Sequence, residues 1–144
     1  MEHYPVKLKL RLDWSEMDLF GHINNVSYFK YVQASRVNYW EAIGLTQLFQ
    51  ETKIGAILAS TGCNFLKELH FPGEITVQVK LDFIKNTSFG LRHQILNERG
   101  EVAAEAKDVL VMFDFNKNEK AAIPDNIRAA IEKLENQTLY PFDF

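Results

Sequence analysis

The residues of this sequence that are best suited to chemistry are crowded into one short stretch, which contains Asp18, Gly21, His22, Asn24 and Asn25. They directly precede an aromatic-rich segment with helical periodicity. A carboxylate can act as a general base or as a nucleophile. The unpaired N–H groups at the start of a helix can stabilise a developing oxyanion. The stretch therefore predicts a site for acid–base or nucleophilic chemistry on a polarised carbonyl group.

Each polar residue of this stretch also has a structural interpretation. Asp18 can be the reacting carboxylate, or it can close an Asx turn with its own backbone. Asn24 or Asn25 can serve as the N-cap of the following helix. For His22 we favour a hydrogen bond that fixes the turn, and direct proton transfer is the second possibility.

Composition limits the class of protein. A chain of 144 residues with 47% hydrophobic and 24% charged residues predicts one domain over residues 1–144 with a sizeable core. A net charge of −3 argues against nucleic acid as a partner. Cys63 is the single cysteine and has no metal-ligand spacing around it, so we expect no disulfide, no metal and no cofactor. The absence of a long apolar run predicts no membrane association and a cytoplasmic location.

Periodicity predicts the elements that position the stretch. The predicted elements are a strand over 6–13, a loop over 14–24, a helix over 25–43 ended by Gly44, strands over 56–70, 74–84, 88–96 and 101–115, and a helix over 124–135. The short turns between strands favour an antiparallel sheet. We therefore predict an α+β fold in which a curled antiparallel sheet wraps one long helix. The aromatic tail over 139–144 is expected to dock on it.

Two patterns within these elements carry further predictions. In the last strand the apolar positions change parity near Lys107 and Asp108, which predicts a β-bulge. In the strand over 74–84, the apolar residues at odd positions from Ile75 to Phe83 are predicted to share one face.

The long helix has a wide apolar face that is predicted to be buried, formed by Tyr28, Phe29, Tyr31, Val32, Tyr39, Trp40, Ala42 and Ile43. Arg36 falls inside this face. A buried guanidinium requires bonded partners, so Arg36 is predicted to have a structural role.

The spacing D-x-x-G-H-x-N-N over residues 18–25, followed by the aromatic helix, resembles the 4-hydroxybenzoyl-CoA thioesterase group of the hotdog-fold superfamily. The passage over 65–74 and the Ile123-Pro124 pair before the last helix support the resemblance. It implies a hotdog fold and hydrolysis of an acyl-CoA. It also implies that Asp18 is the catalytic aspartate, acting as general base or nucleophile, and that the backbone N–H of Asn25 polarises the thioester carbonyl.

The resemblance extends to substrate contacts and to assembly. We expect substrate contacts from Gly21, Asn24 and Tyr28 near the acid, and from the residues of a later turn, Thr87, Ser88 and Phe89. Nearby basic residues are candidates for contacts with the phosphates of coenzyme A: Lys85, Arg92, Lys107, Lys117 and Lys120. Family habit and open sheet edges predict a homodimer or homotetramer.

The sequence departs from its relatives at two places. Plant acyl-carrier-protein thioesterases have a catalytic asparagine where this chain has Phe20, which weakens a borrowed proton-transfer role for His22. The two helix glutamates of many relatives are absent from residues 32–36, so Asp18 is the main acid of the motif, with Glu16 and Asp13 as weaker candidates. Two alternatives stay open at this point: a hotdog dehydratase or hydratase, and a non-catalytic module that binds acyl-CoA or acyl-carrier protein.

Overall fold

The computed structural model describes residues 2–139, in which a curled antiparallel sheet wraps one long helix. The elements are β1 (Val6–Arg11), a 3-10 turn (Trp14–Glu16), α1 (Asn25–Ala42), α2 (Leu45–Thr52), β2 (Ile54–Phe65), β3 (Glu74–Ile84), β4 (Ser88–Leu96), β5 (Val102–Asp114), β6 (Glu119–Lys120) and α3 (Asp125–Glu135). The strand order is β1-β3-β4-β5-β2, and β6 pairs with β5. The predicted α+β hotdog fold is confirmed.

Helix α1 crosses the concave face of the sheet and divides the core into two hydrophobic clusters. The cluster at its N-terminal end contains Tyr28, Tyr31 and Val32. The cluster at its C-terminal end contains Tyr39 and Ile43. Both clusters are built from side chains that recur along one stripe of the helix, as burial of a helical face requires.

A buried polar cluster separates these two apolar clusters. Arg36 Nε donates to Asp108 Oδ2 at 2.9 Å, and Thr61 Oγ1 donates to Asp108 Oδ1 at 2.7 Å. His93 Nε2 lies 2.6 Å from Asp108 Oδ2, while its Nδ1 lies 2.9 Å from Ser35 Oγ. The prediction that Arg36 is buried and bonded is therefore confirmed, and its partner is a carboxylate of the sheet.

The predicted β-bulge at Lys107 and Asp108 is wrong. Both residues pair in register with β2 and with β4, and Asp108 faces α1 together with Leu110 and Met112. An acid at an inward position, kept there by Arg36 and His93, breaks the apolar pattern without breaking the strand.

Three register irregularities lie elsewhere in the sheet, one of them between Ile95 and Leu96 of β4. The other two fall between Leu58 and Ser60 of β2 and between Leu81 and Phe83 of β3. Because of the irregularity in β3, Ile84 is buried and Phe83 is only partly buried. The prediction that Phe83 shares the face of Ile75 is therefore wrong.

Element boundaries differ from the prediction in three regions. Strand β1 ends at Arg11, and β2 ends at Phe65 rather than at residue 70. Helix α2 was not predicted, although it follows directly on Gly44, whose φ of 83° ends α1 as expected. Phe29 and Ala42, which were assigned to the buried face of α1, are exposed.

The C-terminal region joins the core in part. Leu139 is buried, and its N–H donates to Glu132 Oε1 at 3.0 Å. The remainder of the predicted docking tail, residues 140–144, lies outside the described residues. Among the helices of residues 2–139, none has the length and apolar character needed to cross a bilayer.

Candidate active site

Glu16 fastens the loop that precedes α1 to the helix itself. Its Oε1 accepts the Tyr31 hydroxyl at 2.7 Å and the Asp13 N–H at 3.1 Å, and its Oε2 lies 3.1 Å from Lys30 Nζ. Burial opposes ionisation of Glu16, but the hydrogen bonds from Tyr31, Asp13 and Lys30 outweigh it and lower the pKa of Glu16. Asp13 is also engaged, because its carboxylate accepts the N–H of Ser15 at 2.9 Å. Both weaker acid candidates therefore have structural partners.

Asp18 closes the tight turn that follows. Its Oδ1 accepts the backbone N–H groups of Phe20 at 2.9 Å and of His22 at 3.0 Å. Gly21 permits the turn, with a φ of 81° that side chains with a Cβ rarely adopt. The Asx turn and the reactive carboxylate are thus compatible, since within residues 2–139 Oδ2 accepts no hydrogen bond.

Asn24, and not Asn25, is the N-cap of α1. Asn24 Oδ1 accepts the N–H of Ser27 at 2.8 Å, and Asn24 Nδ2 donates to the carbonyl of Glu16 at 2.7 Å. Asn25 is the first helical residue. Its N–H meets no acceptor in the described part of the chain, so this group is an unpaired donor at the positive end of the helix.

Four of the predicted residues line one open cleft of about 430 Å³: Asp18, His22, Asn25 and Tyr28. The cleft is completed by Ile23 and by residues 65–68. Gly21 and Asn24 lie in the same loop but are not among the residues that line the cleft, so their contact with substrate stays a prediction. The cleft therefore presents a carboxylate and the start of a helix to the same space.

Tyr28 forms the buried wall of this cleft. Its hydroxyl donates to the carbonyl of Lys67 at 3.0 Å, and its ring meets Phe65 edge-on at 5.1 Å between centroids. Burial raises the pKa of Tyr28, which keeps the phenol neutral.

Thr87, Ser88 and Phe89 lie at the opposite end of α1 from Asp18. The side chain of Phe89 is fully buried in the cluster around Tyr39. The structure of one chain does not bring these three residues to the cleft, and their contact with substrate stays a prediction. None of the five basic candidates lines the cleft.

Sequence reasoning missed three residues on the segment between β2 and β3. Lys67 and Glu68 line the cleft, and His70 lies beside it. Glu68 Oε2 is 3.1 Å from His22 Nε2, and Lys67 Nζ is 2.7 Å from Glu101 Oε2. In the sequence, the passage 65–74 only supports the family resemblance, because the contacts of its side chains are made across the fold.

Residues 12–131 match the profile of the thioesterase-like superfamily. The chain therefore belongs to this superfamily, its fold is that of the superfamily, and the protein is a thioester hydrolase.

Three similar proteins illustrate the relationship. A thioesterase from Thermus thermophilus, solved in complex with coenzyme A and Zn, is 26% identical, with a TM-score of 0.84 over 96% of this chain and 100% of that one. The chloroplastic acyl-acyl carrier protein thioesterase ATL3 of Arabidopsis thaliana is 30% identical over 89% of this chain and 67% of its own length. The L-carnitine dehydrogenase/betainyl-CoA thioesterase of Agrobacterium fabrum is 25% identical over 93% of this chain and 28% of that longer protein.

Proposed function

We propose that this protein hydrolyses an acyl-CoA thioester to the free acid and coenzyme A, with Asp18 as the general base or the nucleophile. One observation carries the proposal: Asp18 and Asn25, the first residue of α1, line the same cleft. The similar thioesterase that binds coenzyme A and the similar betainyl-CoA thioesterase support coenzyme A as the thiol carrier. The similarity to an acyl-carrier-protein thioesterase makes acyl-carrier protein the second candidate carrier.

The cleft supports a two-step mechanism. The N–H of Asn25 donates to the thioester oxygen, and the helix dipole stabilises the oxyanion that forms. Asp18 Oδ2 attacks the carbonyl carbon, the C–S bond breaks, and the thiolate leaves with an acyl-aspartyl anhydride remaining on the enzyme. Water then cleaves the anhydride. In the general-base route, Asp18 instead takes a proton from the water that attacks the thioester.

His22 contributes to this mechanism through its backbone. Its N–H holds Asp18 Oδ1, whereas its ring Nε2 is directed to Glu68. This arrangement favours the positioning role of His22 over direct proton transfer. Gly21 and Asn24 support the same loop, and Tyr28 provides an apolar wall for the acyl group.

We further propose that the working enzyme is a homodimer or a homotetramer. Strand β2 lies at the edge of the sheet, and three of its large apolar side chains are exposed: Ile57 by 39%, Leu58 by 38% and Phe65 by 48%. An open apolar edge of this length favours pairing with a second copy. A second copy would also supply the turn with Thr87 and Ser88, which one chain keeps away from its own cleft.

Light scattering at micromolar concentration tests the assembly. The parent is expected to be a dimer or tetramer. Leu58→Lys, which places a charge on the open edge, is expected to shift the mass towards the monomer. Ala129→Lys, on the exposed face of α3, adds the same charge elsewhere and should leave the mass unchanged. A monomeric parent would refute the proposal.

The activity is tested by release of free thiol from a panel of acyl-CoA and acyl-carrier-protein thioesters. Asp18→Asn keeps an oxygen that can accept both turn hydrogen bonds but removes the base. Turnover is expected to fall on the order of 100-fold or more, while the melting temperature stays at the parent value. Thiol release by Asp18→Asn at the parental rate would remove Asp18 from the mechanism. Binding without thiol release by the parent would favour the non-catalytic module, and addition of water to an enoyl thioester would favour the hydratase.

A further inference from the structure

His22, Glu68 and His70 form a cluster of metal-ligating side chains at the mouth of the cleft. The Glu68 Oε2 atom lies 3.1 Å from His22 Nε2 and 3.8 Å from His70 Nε2. The two imidazole rings meet edge-on with 4.8 Å between their centroids. One ligand atom from each residue lies within 4.8 Å of the others.

The backbone holds these three residues together. Ile23 N–H donates to the carbonyl of Leu69 at 2.8 Å, which joins the loop before α1 to the segment between β2 and β3. Ile23 and Leu69 are both buried. His22 directly precedes Ile23, and Glu68 and His70 flank Leu69. Because Ile23 and Leu69 are buried side by side, the three neighbouring ligand side chains lie at the surface. A metal ion would meet a site that the fold has already assembled.

We propose that His22, Glu68 and His70 bind one divalent transition-metal ion, for which Zn²⁺ is the best match. Two imidazoles and one carboxylate are a ligand set that favours zinc and its neighbours, whereas Mg²⁺ and Ca²⁺ prefer oxygen ligands. With metal–ligand bonds of about 2.1 Å, tetrahedral ligands stand about 3.4 Å apart. The two separations that involve Glu68, 3.1 and 3.8 Å, bracket this value, and all three ligand atoms lie within 4.8 Å of one another.

The three side chains are accessible to an ion from solvent. The exposed fraction is 30% for His22, 64% for Glu68 and 60% for His70. Three protein ligands leave at least one coordination position for water.

A bound ion would connect the catalytic loop to the neighbouring segment. The N–H of His22 holds the Asp18 carboxylate at 3.0 Å, so a metal on the His22 ring would restrain the turn that positions Asp18. Metal binding itself does not depend on the proposed hydrolysis, and the two can be tested separately. The sequence alone did not predict this site because His22 and His70 are distant in the chain and meet only in the fold.

Calorimetric titration of untagged, chelator-treated protein with ZnCl₂ tests the proposal. One Zn²⁺ per chain is expected to bind. His70→Ala and Glu68→Gln should each raise the dissociation constant on the order of tenfold or more. His3→Ala removes an exposed histidine outside the cluster and is expected to leave it unchanged. Melting temperatures measured in chelator confirm that all variants are folded.

Three results of this titration would overturn the proposal. They are a parent that does not bind Zn²⁺, a His70→Ala variant that binds it like the parent, and a stoichiometry of half an ion per chain, which would indicate a site between copies. Two probes extend the test to ligand type. Co²⁺ should give visible ligand-field bands that are lost in His70→Ala, and their persistence there would refute ligation by His70. Mg²⁺ should not compete, and Mg²⁺ binding as tight as that of Zn²⁺ would refute ligation by imidazole.

Discussion

Arg36 of α1 and Asp108 of β5 form a two-point ion pair in the interior, with 2.9 Å from Nε to Oδ2 and 3.2 Å from Nη2 to Oδ1. The side chains are 8% and 0% exposed. The pair lies where α1 crosses the middle of the sheet, between the two apolar clusters. The directional hydrogen bonds of the pair therefore fix α1 on the sheet, in addition to the burial of its apolar face. Since the start of α1 is part of the candidate active site, the pair also helps to position that site.

Replacing Arg36 with alanine is expected to destabilise the fold before it affects chemistry. The change removes the guanidinium partner of the buried Asp108 carboxylate, and breaking a buried ion pair in this way typically costs about 3–5 kcal/mol. Urea unfolding measures the loss. Arg99→Ala is the control, because it removes an arginine side chain that is exposed in the turn before β5. It should change stability by less than about 0.5 kcal/mol. Equal unfolding midpoints for Arg36→Ala and the parent would contradict the structural role.

The free energy of unfolding is expected to fall at acid pH because of Asp108. Burial opposes ionisation of Asp108, but hydrogen bonds from His93 and Arg36 outweigh it and lower its pKa from 3.8 to about 2. Because the unfolded chain takes up the proton first, this stability is complete above pH 4 and is lost as the pH falls towards 2. The contribution is about 2 kcal/mol.

Unfolding of the parent and of Asp108→Asn at a series of pH values isolates this contribution. Asp108→Asn is expected to be less stable at neutral pH, because it loses the ion pair. Its stability should then decline less between pH 4 and pH 2, since position 108 no longer takes up a proton. Parallel declines for the two proteins would show that Asp108 does not titrate as described.

Gly21 and Gly100 form a matched pair for testing the catalytic turn. Their φ angles are 81° and 80°, and an added Cβ would meet no atom within 4 Å at either position. Alanine should therefore cost each turn a similar amount, about 1–2 kcal/mol of backbone strain. Only Gly21 lies between Asp18 and α1, so only Gly21→Ala is expected to lose turnover.

Thiol-release assays and melting curves of the two variants give the comparison. Both variants are expected to lose stability, and only Gly21→Ala is expected to lose turnover. Equal turnover in both variants would show that the geometry of the Asp18 turn does not limit hydrolysis.

Much of this fold could be predicted from the sequence because local patterns report it directly. The strict alternation over 74–84 and the aromatic helix after Asn24 predicted β3 and α1 nearly to the residue. Helix α2 was missed because its eight residues follow a helix-ending glycine and precede a strand, although Leu45, Leu48 and Phe49 have helical spacing.

The remaining errors come from contacts that are distant in sequence. Asp108 was interpreted as a break in β5 because only the fold shows that Arg36 lies opposite it. The candidate site shows the same division. Asp18 and Asn25 are close in sequence and were predicted, whereas Glu68 approaches His22 only because the backbone of Ile23 is hydrogen-bonded to that of Leu69.

Asn24 and Asn25 are adjacent, but alanine at the two positions is expected to have different effects. Asn24→Ala removes the cap of α1 and the side-chain bond to the carbonyl of Glu16, so it should cost about 1 kcal/mol or more of stability. Asn25→Ala keeps the backbone N–H that is proposed to polarise the thioester, and alanine is a strong helix former, so stability and turnover should both stay near the parental values. Melting curves and thiol release measure both. A large loss of turnover in Asn25→Ala, with stability retained, would move the role from the backbone N–H to the Asn25 side chain.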